Sequence, residues 1–444
     1  MKINFILLFI NIFTISHSFN LRQQQPVPIC YGISIDAGSS GTKVIVYEWE
    51  CLNYSEIPKI KQNPTLKNKL PERLSDYAGK TNTLGNLFEK IFGITQKVIP
   101  QAQANKTIVL LGATAGMRLI PEKDQNEIMD ECINQLSKNK YGYYFPNSQN
   151  PKSQKEWARV LSGEQEGAYL WMSVNYDLNK LTKSIEDDKN TVAVIDLGGA
   201  STQIAFSPNE KQEELKQNDF DLFIARYNYY HLYSKSYLKY GNDQARFQVL
   251  DYFKSQNYVS PCYFKGYKGT DGQNQDIQVE GTGIYTQCSE KILQYLKVNK
   301  DDCAFKSKDE CSIGNQYQSQ LNKDMQIYAV SSIQISANFL EFTNTFKLSD
   351  FLNKLKELYT LDWDGAQKKY PNEQAKYLQY NLFMTTYVYQ LLKNGYNIND
   401  NTEINISLTD VGWDKSNLLQ KLSTLNCQVT SQYCYKAPYQ KQAI

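Results

Sequence analysis

The chain has 444 residues, 41% hydrophobic and 21% charged, a composition that supports one large globular domain or two lobes with cores of their own. With 48 Lys and Arg against 46 Asp and Glu the net charge is +2, so charge gives no reason to expect nucleic acid or an anionic membrane as partner. Its two histidines, His17 and His231, leave a Ser-His-Asp triad resting on His231 alone and rule out histidine-ligated metal.

Met1-Lys2, the apolar run to Ile15 and Ser16-His17-Ser18 read as a secretory signal peptide, with cleavage expected before Phe19. The run is shorter than the ~20 residues a membrane span needs. A secreted, soluble chain without a membrane span is therefore expected. Nine cysteines suit an oxidising compartment. Cys30 and Cys51 flank one hairpin almost symmetrically; Cys262 with Cys288, Cys303 with Cys311, and Cys427 with Cys434 would close local loops and leave Cys132 over, one pairing among several. Asn53, Asn105 and Asn405 head glycosylation sequons.

Tyr31 to Val46 contains Asp36-Ala37-Gly38-Ser39-Ser40-Gly41-Thr42, and the pattern returns as Asp196-Leu197-Gly198-Gly199-Ala200-Ser201-Thr202 at a constant offset of 160 positions. Each copy reads as strand, terminal carboxylate, Gly/Ser reversal and second strand, able to hold an anion on backbone N–H groups. A Gly-rich turn alone can merely join strands; a repeat matched residue for residue argues for two facing phosphate clamps. Carboxylates beside phosphate call for a divalent cation between them, bound through oxygen and water.

After a polar connection, the pattern predicts a helix over 83–104, a buried strand at Thr107 to Leu111 entering the loop Gly112 to Arg118, a helix over 122–138, a loop over 141–155 and a strand at 159–161. Ser162 and Gln165 form a capping box opening a helix whose first turns contain Glu166, with Trp171, Val174, Leu178 and Leu181 on one face. Beyond the second hairpin, Val192 to Phe206, the expectation is helix over 220–253, loop over 261–274, strand over 277–283, an irregular cysteine-bearing segment to Asp324, helices over 327–342, 348–358 and 375–393, a strand over 404–408 and a loop to Trp413. Strand and helix alternation with loops at strand ends predicts an α/β architecture. With histidine nearly absent, general-base work falls to a carboxylate, and Glu166 is the candidate, although an acidic first turn also serves the helix dipole.

Asp36 to Thr42, Gly112 to Arg118, Ser162 to Gly167 with Trp171 and Asn175-Tyr176, and Asp196 to Gln203 resemble, in order, the first four conserved regions of the apyrases, the nucleoside triphosphate diphosphohydrolases. The resemblance extends through Ser236 to Gly241 and Gly395-Tyr396 to Asp410-Val411-Gly412-Trp413. It implies a two-lobed actin-like, RNase H-like α/β fold with the active site between the lobes: residues 27–162 plus 405–440 as lobe I and 163–404 as lobe II, after a signal peptide over 1–18. It further implies Ca²⁺- or Mg²⁺-dependent hydrolysis of nucleoside tri- and diphosphates by a monomer. Glu166 would activate water, helped by Thr114 and Gln203; Asp36 and Asp196 would hold the metal through its waters. Ser39, Ser40, Gly41, Thr42, Gly199, Ala200 and Ser201 would cradle phosphate.

The Cys262–Cys288 and Cys303–Cys311 pairings resemble the family's, whereas Lys239 stands where the family has a further cysteine. Gln334 and Asn381 fall where the family places aromatic residues against the nucleobase, so base recognition is expected to be altered, with Tyr377, Tyr380 or Tyr387 as substitutes and Trp413 as a wall of the site. Within the same fold, the alternatives are a hydrolase of nucleoside diphosphates alone or of inorganic polyphosphate. A non-catalytic nucleotide-binding or adhesion module is the alternative from another class. No polyanion track favours polyphosphate, and Glu166, Asp36, Asp196 and Thr114 together argue for catalysis.

Overall fold

The first hairpin, Ile29–Gly38 with Gly41–Glu50, is antiparallel in the register Asp36↔Lys43 and Gly38↔Gly41, closed by a two-residue turn at Ser39 and Ser40. Gly41, which follows the turn, adopts φ 132, a region that favours glycine, and a Cβ there would meet the Leu70 carbonyl oxygen at 2.4 Å. These observations come from a computed structural model describing residues 29–424 apart from 52–57, 66–67, 147–148, 150, 182–189, 209–218, 224–228, 272–273, 306, 308–309 and 410. The signal peptide, the Asn53 sequon, Asp410 and the Cys427–Cys434 pairing lie outside the described residues.

Around this hairpin grows the first sheet, in the order Lys61–Gln62, Gly41–Glu50, Ile29–Gly38, Ile108–Ala113, Ala158–Val160, with Asn68–Leu70 also pairing to Gly41–Glu50. Strand Ile108–Ala113 runs parallel to Ile29–Gly38 and is buried along its whole length, which is why it reads as a continuous apolar run rather than an alternation. The second hairpin, Ala193–Leu197 with Ser201–Phe206, seeds the second sheet, in the order Thr345–Lys347, Glu403–Asn405, Ile327–Ser331, Ala193–Leu197, Ser201–Phe206, Tyr229–Leu238, Asp219–Phe223. A small third sheet joins Val259–Ser260, Asn274–Gly281 and Lys268–Asp271.

Two helices lie between the large sheets. Gly163–Asp177 packs on Tyr229–Leu238 and Ser201–Phe206 of the second sheet, while Trp413–Thr424 packs on Gly163–Asp177 and on strand Ile29–Gly38 of the first. Gly163–Asp177 opens with the capping box: Ser162 Oγ accepts from the Gln165 backbone N–H at 3.1 Å, and the Gln165 side chain accepts from the Ser162 N–H at 3.3 Å. A cap of this kind stabilises a helix by ~1 kcal/mol and fixes where its first turn begins. Glu166 follows directly. Ser173 ties the two helices together, its Oγ bonding to the Gly412 carbonyl and to Ser416 Oγ, each at 2.7 Å.

Several elements differ from the sequence reading. The stretch 220–253 is not one helix: Asp219–Phe223 and Tyr229–Leu238 are strands, and only Asn242–Asp251 is helical. Tyr230, Tyr233 and Tyr237 imitate a helical spacing, but aromatic residues favour strands, and a strand covered on both faces loses its period of two. The expected helix over 327–342 is split into strand Ile327–Ser331, parallel to Ala193–Leu197, and helix Ser332–Phe339; a short apolar run does not distinguish a buried strand from a helix. The helix over 83–104 ends at Thr95, short of Pro100. Parts of three segments read as loop or irregular are ordered as Pro151–Trp157, Lys268–Asp271 and Tyr285–Leu296. Helix Leu348–Leu358 has the expected limits. Cys30–Cys51, Cys262–Cys288 and Cys303–Cys311 are disulfides, and Cys132 is a buried thiol.

Candidate active site

The second hairpin repeats the register of the first: Asp196 faces Gln203 as Asp36 faces Lys43, and Gly198 N–H bonds the Ser201 carbonyl at 3.0 Å. The two turns meet. A Cβ on Gly199 would stand 2.9 Å from Ser39 Oγ and 2.7 Å from Asp243 Oδ2, so a side chain there would push both groups aside. Between the sheets opens a cleft of about 670 Å³, its mouth included, onto which Asp36, Thr114, Glu166, Asp196, Ser201 and Trp413 all face.

Ser39, Ser40, Gly41, Gly199 and Ala200, which the resemblance to the apyrases assigns to phosphate, also line this cleft. Thr42 does not. It is fully buried and its Oγ1 donates to the Glu72 carbonyl at 2.8 Å, anchoring the hairpin from behind. Its counterpart Thr202 is likewise buried and donates to the Asp196 carbonyl at 2.6 Å.

Glu166 is 7% exposed, and its Oε2 accepts from Arg118 Nη2 at 2.8 Å and Gln203 Nε2 at 3.3 Å. Burial pushes its carboxyl up to about 7; Arg118 works against that shift and the Asp196 charge adds to it. Arg118, from the short helix after strand Ile108–Ala113, also donates to the Leu161 carbonyl at 2.9 Å and reaches Ser201 Oγ at 3.4 Å. It therefore joins the first sheet, Glu166 and the second Gly/Ser turn. Gln203 is held in turn by Ser201 Oγ at 2.7 Å and Ser236 Oγ at 3.0 Å.

Asp36 and Asp196 are raised above the ordinary carboxylate range, in both cases chiefly by burial. Lys43 Nζ, 3.5 Å from Asp36 Oδ2, offsets part of that shift for Asp36. Ser331 hydrogen-bonds Asp196 and does the same there, while Asp196 Oδ1 is buried and accepts no hydrogen bond from the protein. Ser331 sits at φ 56, a sparsely populated conformation for a non-glycine residue, where strand Ile327–Ser331 turns into the next helix. Asp414 is a further buried carboxyl, raised by burial and then by Asp36, and accepts from Tyr47 Oη at 2.5 Å. Lys69 lines the cleft with its Nζ on Ser40 Oγ at 2.9 Å.

Two carboxylates from opposite sheets, Asp36 buried and Asp196 half-buried with one orphaned oxygen, fit a hard divalent cation that keeps most of its water. Among the described residues no group of three or more His, Cys, Asp and Glu converges to form a direct cage.

Trp413 begins its helix and packs its ring over Gly112, where a Cβ would meet it at 2.3 Å. The nucleobase candidates disperse. Tyr387 is fully buried with its hydroxyl on the Tyr240 carbonyl at 2.7 Å, a core residue rather than a cleft one. Tyr380 lies under the Arg246 guanidinium at 4.2 Å, and Arg246 is itself buried against Asp271. Tyr377 is 51% exposed, with the Lys376 ammonium over its ring. Gln334 donates to the Ile406 and Leu408 carbonyls at 2.6 and 2.9 Å, and Asn381 is buried.

The sequence reading assigned no role to Arg118, Lys43, Lys69, Ser331 or Asp414. Lys43 was accessible to it, because a two-residue turn at Ser39 and Ser40 places it opposite Asp36. Ser331 carried no local signal.

Two sheets, each opened by a hairpin with a Gly/Ser turn and facing each other across one cleft, make a two-lobed α/β structure of the actin-like, RNase H-like fold. The fold agrees with the solved structure of nucleoside triphosphate hydrolases from Neospora caninum, which superposes with a TM-score of 0.62 at 15% identity over 88% of this chain and 92% of that one. A model of the GDA1/CD39 (nucleoside phosphatase) family matches residues 23–432, and the chain belongs to that family. Among its relatives, ectonucleoside triphosphate diphosphohydrolase 1 of Bos taurus is 30% identical, covering 89% of this chain and 82% of its own length. Probable apyrase 5 of Arabidopsis thaliana is 28% identical over 82% of this chain and 74% of its own length. The protein is a hydrolase.

Proposed function

We propose that this chain is a secreted apyrase, removing the terminal phosphate of nucleoside triphosphates and then diphosphates. The observation that carries the reading is Glu166, buried at the cleft between the two Gly/Ser turns, with both of its donors on Oε2. That arrangement leaves Oε1 to receive a proton. The names of the relatives, diphosphohydrolase and apyrase, support the substrate class.

In the proposed reaction the terminal phosphoryl group rests on the backbone N–H groups and hydroxyls of Ser39 and Ser40 on one side and Gly199 to Ser201 on the other. Asp36 and Asp196 would hold Ca²⁺ or Mg²⁺ through water, and the bound ion supplies charge neutralisation at the phosphate oxygens. Water enters in line with the bridging oxygen and Glu166 takes one of its protons. The new P–O bond forms, the bridging P–O bond breaks, and the shortened nucleotide leaves with the bridging oxygen. Arg118 and Gln203 keep the carboxylate turned toward the water, and Thr114, at the end of the strand carrying the Gly112 loop, faces the same space. A base poised near 7 takes a proton readily at neutral pH.

Phosphate release from ATP, ADP, AMP and polyphosphate, with Ca²⁺, Mg²⁺ or EDTA, tests the proposal. Expected are release from ATP and ADP, none from AMP, loss in EDTA, and at least a roughly 10²-fold drop in Glu166→Gln. Full activity in EDTA or an unimpaired variant overturns the mechanism, and release from polyphosphate alone overturns the substrate. Dispersal of the aromatic candidates supports weak base selectivity, which similar kcat/KM for ATP, GTP, UTP and CTP would bear out. Recovery of the expressed protein from the culture medium, starting at Phe19, tests secretion.

A further inference from the structure

The cleft already contains a cation beside its carboxylates. Lys43 projects from strand Gly41–Glu50 into the cleft, opposite Asp36 in the hairpin register, with its Nζ 3.5 Å from Asp36 Oδ2. The charges of Asp414 and Asp196 act on the same ammonium. One lysine is thus shared by carboxyl groups from the first sheet, the second sheet and the helix Trp413–Thr424. Lys69, also on the cleft wall, is tied instead to Ser40 Oγ at 2.9 Å.

The contact between Lys43 and Asp36 is loose. At 3.5 Å it is longer than the about 2.7–2.9 Å of a full charge-assisted hydrogen bond, which Lys415 makes to Asp177 at 2.6 and 2.7 Å. The Lys43 side chain is 57% exposed and that of Asp36 only 9%. The ammonium, on its flexible four-carbon stem, can therefore swing aside through solvent, whereas the carboxylate is fixed in the wall. A buried carboxylate needs a cation close by, and at Asp36 that cation is Lys43. Asp196, at the same register position of the second hairpin, has Gln203 opposite and keeps Oδ1 without a protein donor. One half of the carboxylate pair is already charge-balanced and the other is open.

We infer that the Lys43 ammonium competes with the divalent cation for Asp36, so that Lys43 sets how tightly the cleft takes its metal. A divalent ion shared by Asp36 and Asp196 repels an ammonium held on Asp36, and each must be bound at the expense of the other. The displaced ammonium stays within the field of Asp414, which is buried and held by Tyr47 Oη. Metal affinity is then the attraction of the carboxylates less the cost of moving Lys43. This role rests on the proposed metal site at Asp36 and Asp196, and the two can fail separately.

Mn²⁺ is the probe, titrated into the full chain without nucleotide while the free ion is followed by electron paramagnetic resonance. Lys43→Gln is expected to bind it at least roughly tenfold more tightly than the wild type, and Lys43→Arg no more tightly. Lys69→Gln, which removes the same charge from beside Ser40, is expected to change the affinity less than about threefold. Thermal unfolding is the second readout. Without the ion Lys43→Gln is expected to melt below the wild type, because Asp36 loses its cation, and saturating Mn²⁺ to raise its melting temperature by more than it raises the wild type's. Lys43→Met takes its place should Lys43→Gln not fold. Equal or weaker binding in these variants, an ion-induced rise no larger than the wild type's, or an equal gain in Lys69→Gln overturns the role of Lys43 and leaves the metal site standing. Binding that survives Asp196→Asn, or no binding by any of these proteins, overturns the metal site and this inference with it.

Discussion

The two hairpins have one backbone and two chemistries. Asp36 and Asp196 occupy the same register position, but across the strands stand Lys43 in the first and Gln203 in the second. Lys43 turns its ammonium to Asp36 and offsets part of the cost of burying it. Gln203 turns toward Glu166 instead, and Asp196 Oδ1 is left with no protein donor. One cross-strand residue makes the duplicated turn asymmetric: one copy balances the charge of its carboxylate, and the other reaches Glu166, the base of the proposed mechanism.

The sharpest way to break this comparison is to remove each carboxylate in turn. Asp196→Asn is expected to lower kcat/KM by about 10²–10³, the scale of losing one preorganised electrostatic group, and Asp36→Asn by less, because Lys43 then becomes a cation free for phosphate. Equal losses would show the hairpins to be functionally symmetric.

Next comes the acid limb. Glu166 must be ionised to accept a proton and its pKa is raised to about 7, so activity is expected to fall about tenfold per unit below that pH and level off above it. Arg118→Met removes the cation that favours the ionised form, so the limb should move to higher pH while kcat falls; a limb that stays in place would separate Arg118 from the base. Gln203→Leu is expected to act in the same direction by about tenfold in kcat, whereas Lys43→Gln should leave the limb where it is. That contrast tests the division of labour most directly.

The smallest effect is expected at Thr42. Thr42→Val removes the bond to the Glu72 carbonyl and should cost about 1 kcal/mol in denaturant unfolding with kcat nearly unchanged. A large kinetic loss would return Thr42 to the phosphate site, where the resemblance to the apyrases had put it.

Local order was legible in the residues. The capping box at Ser162 and Gln165, the Gly/Ser reversals, the buried run before Gly112 and the helix Leu348–Leu358 depend on neighbours a few positions apart, and pattern reading sees those neighbours. Three disulfides formed as their spacing allowed. Glu166, Asp36 and Asp196 could be singled out as candidates from the near absence of histidine together with the resemblance to the apyrases, and the structure brings all three to one cleft.

Other features were decided only when distant segments met. Tyr229–Leu238 is a strand because it pairs with Ser201–Phe206 and Asp219–Phe223, a partnership that outweighs its helical spacing of tyrosines. The break at Ser331 exists because Ile327–Ser331 enters the second sheet beside Ala193–Leu197, which brings its hydroxyl to Asp196. Arg118 meets Glu166 across 48 residues of chain, and Tyr387 is removed from the cleft by the core around it. Composition and spacing determined which groups were available and which short turns they formed. Where each side chain pointed was set by sheet pairing and burial, whose energies depend on partners that adjacency in the chain does not reveal.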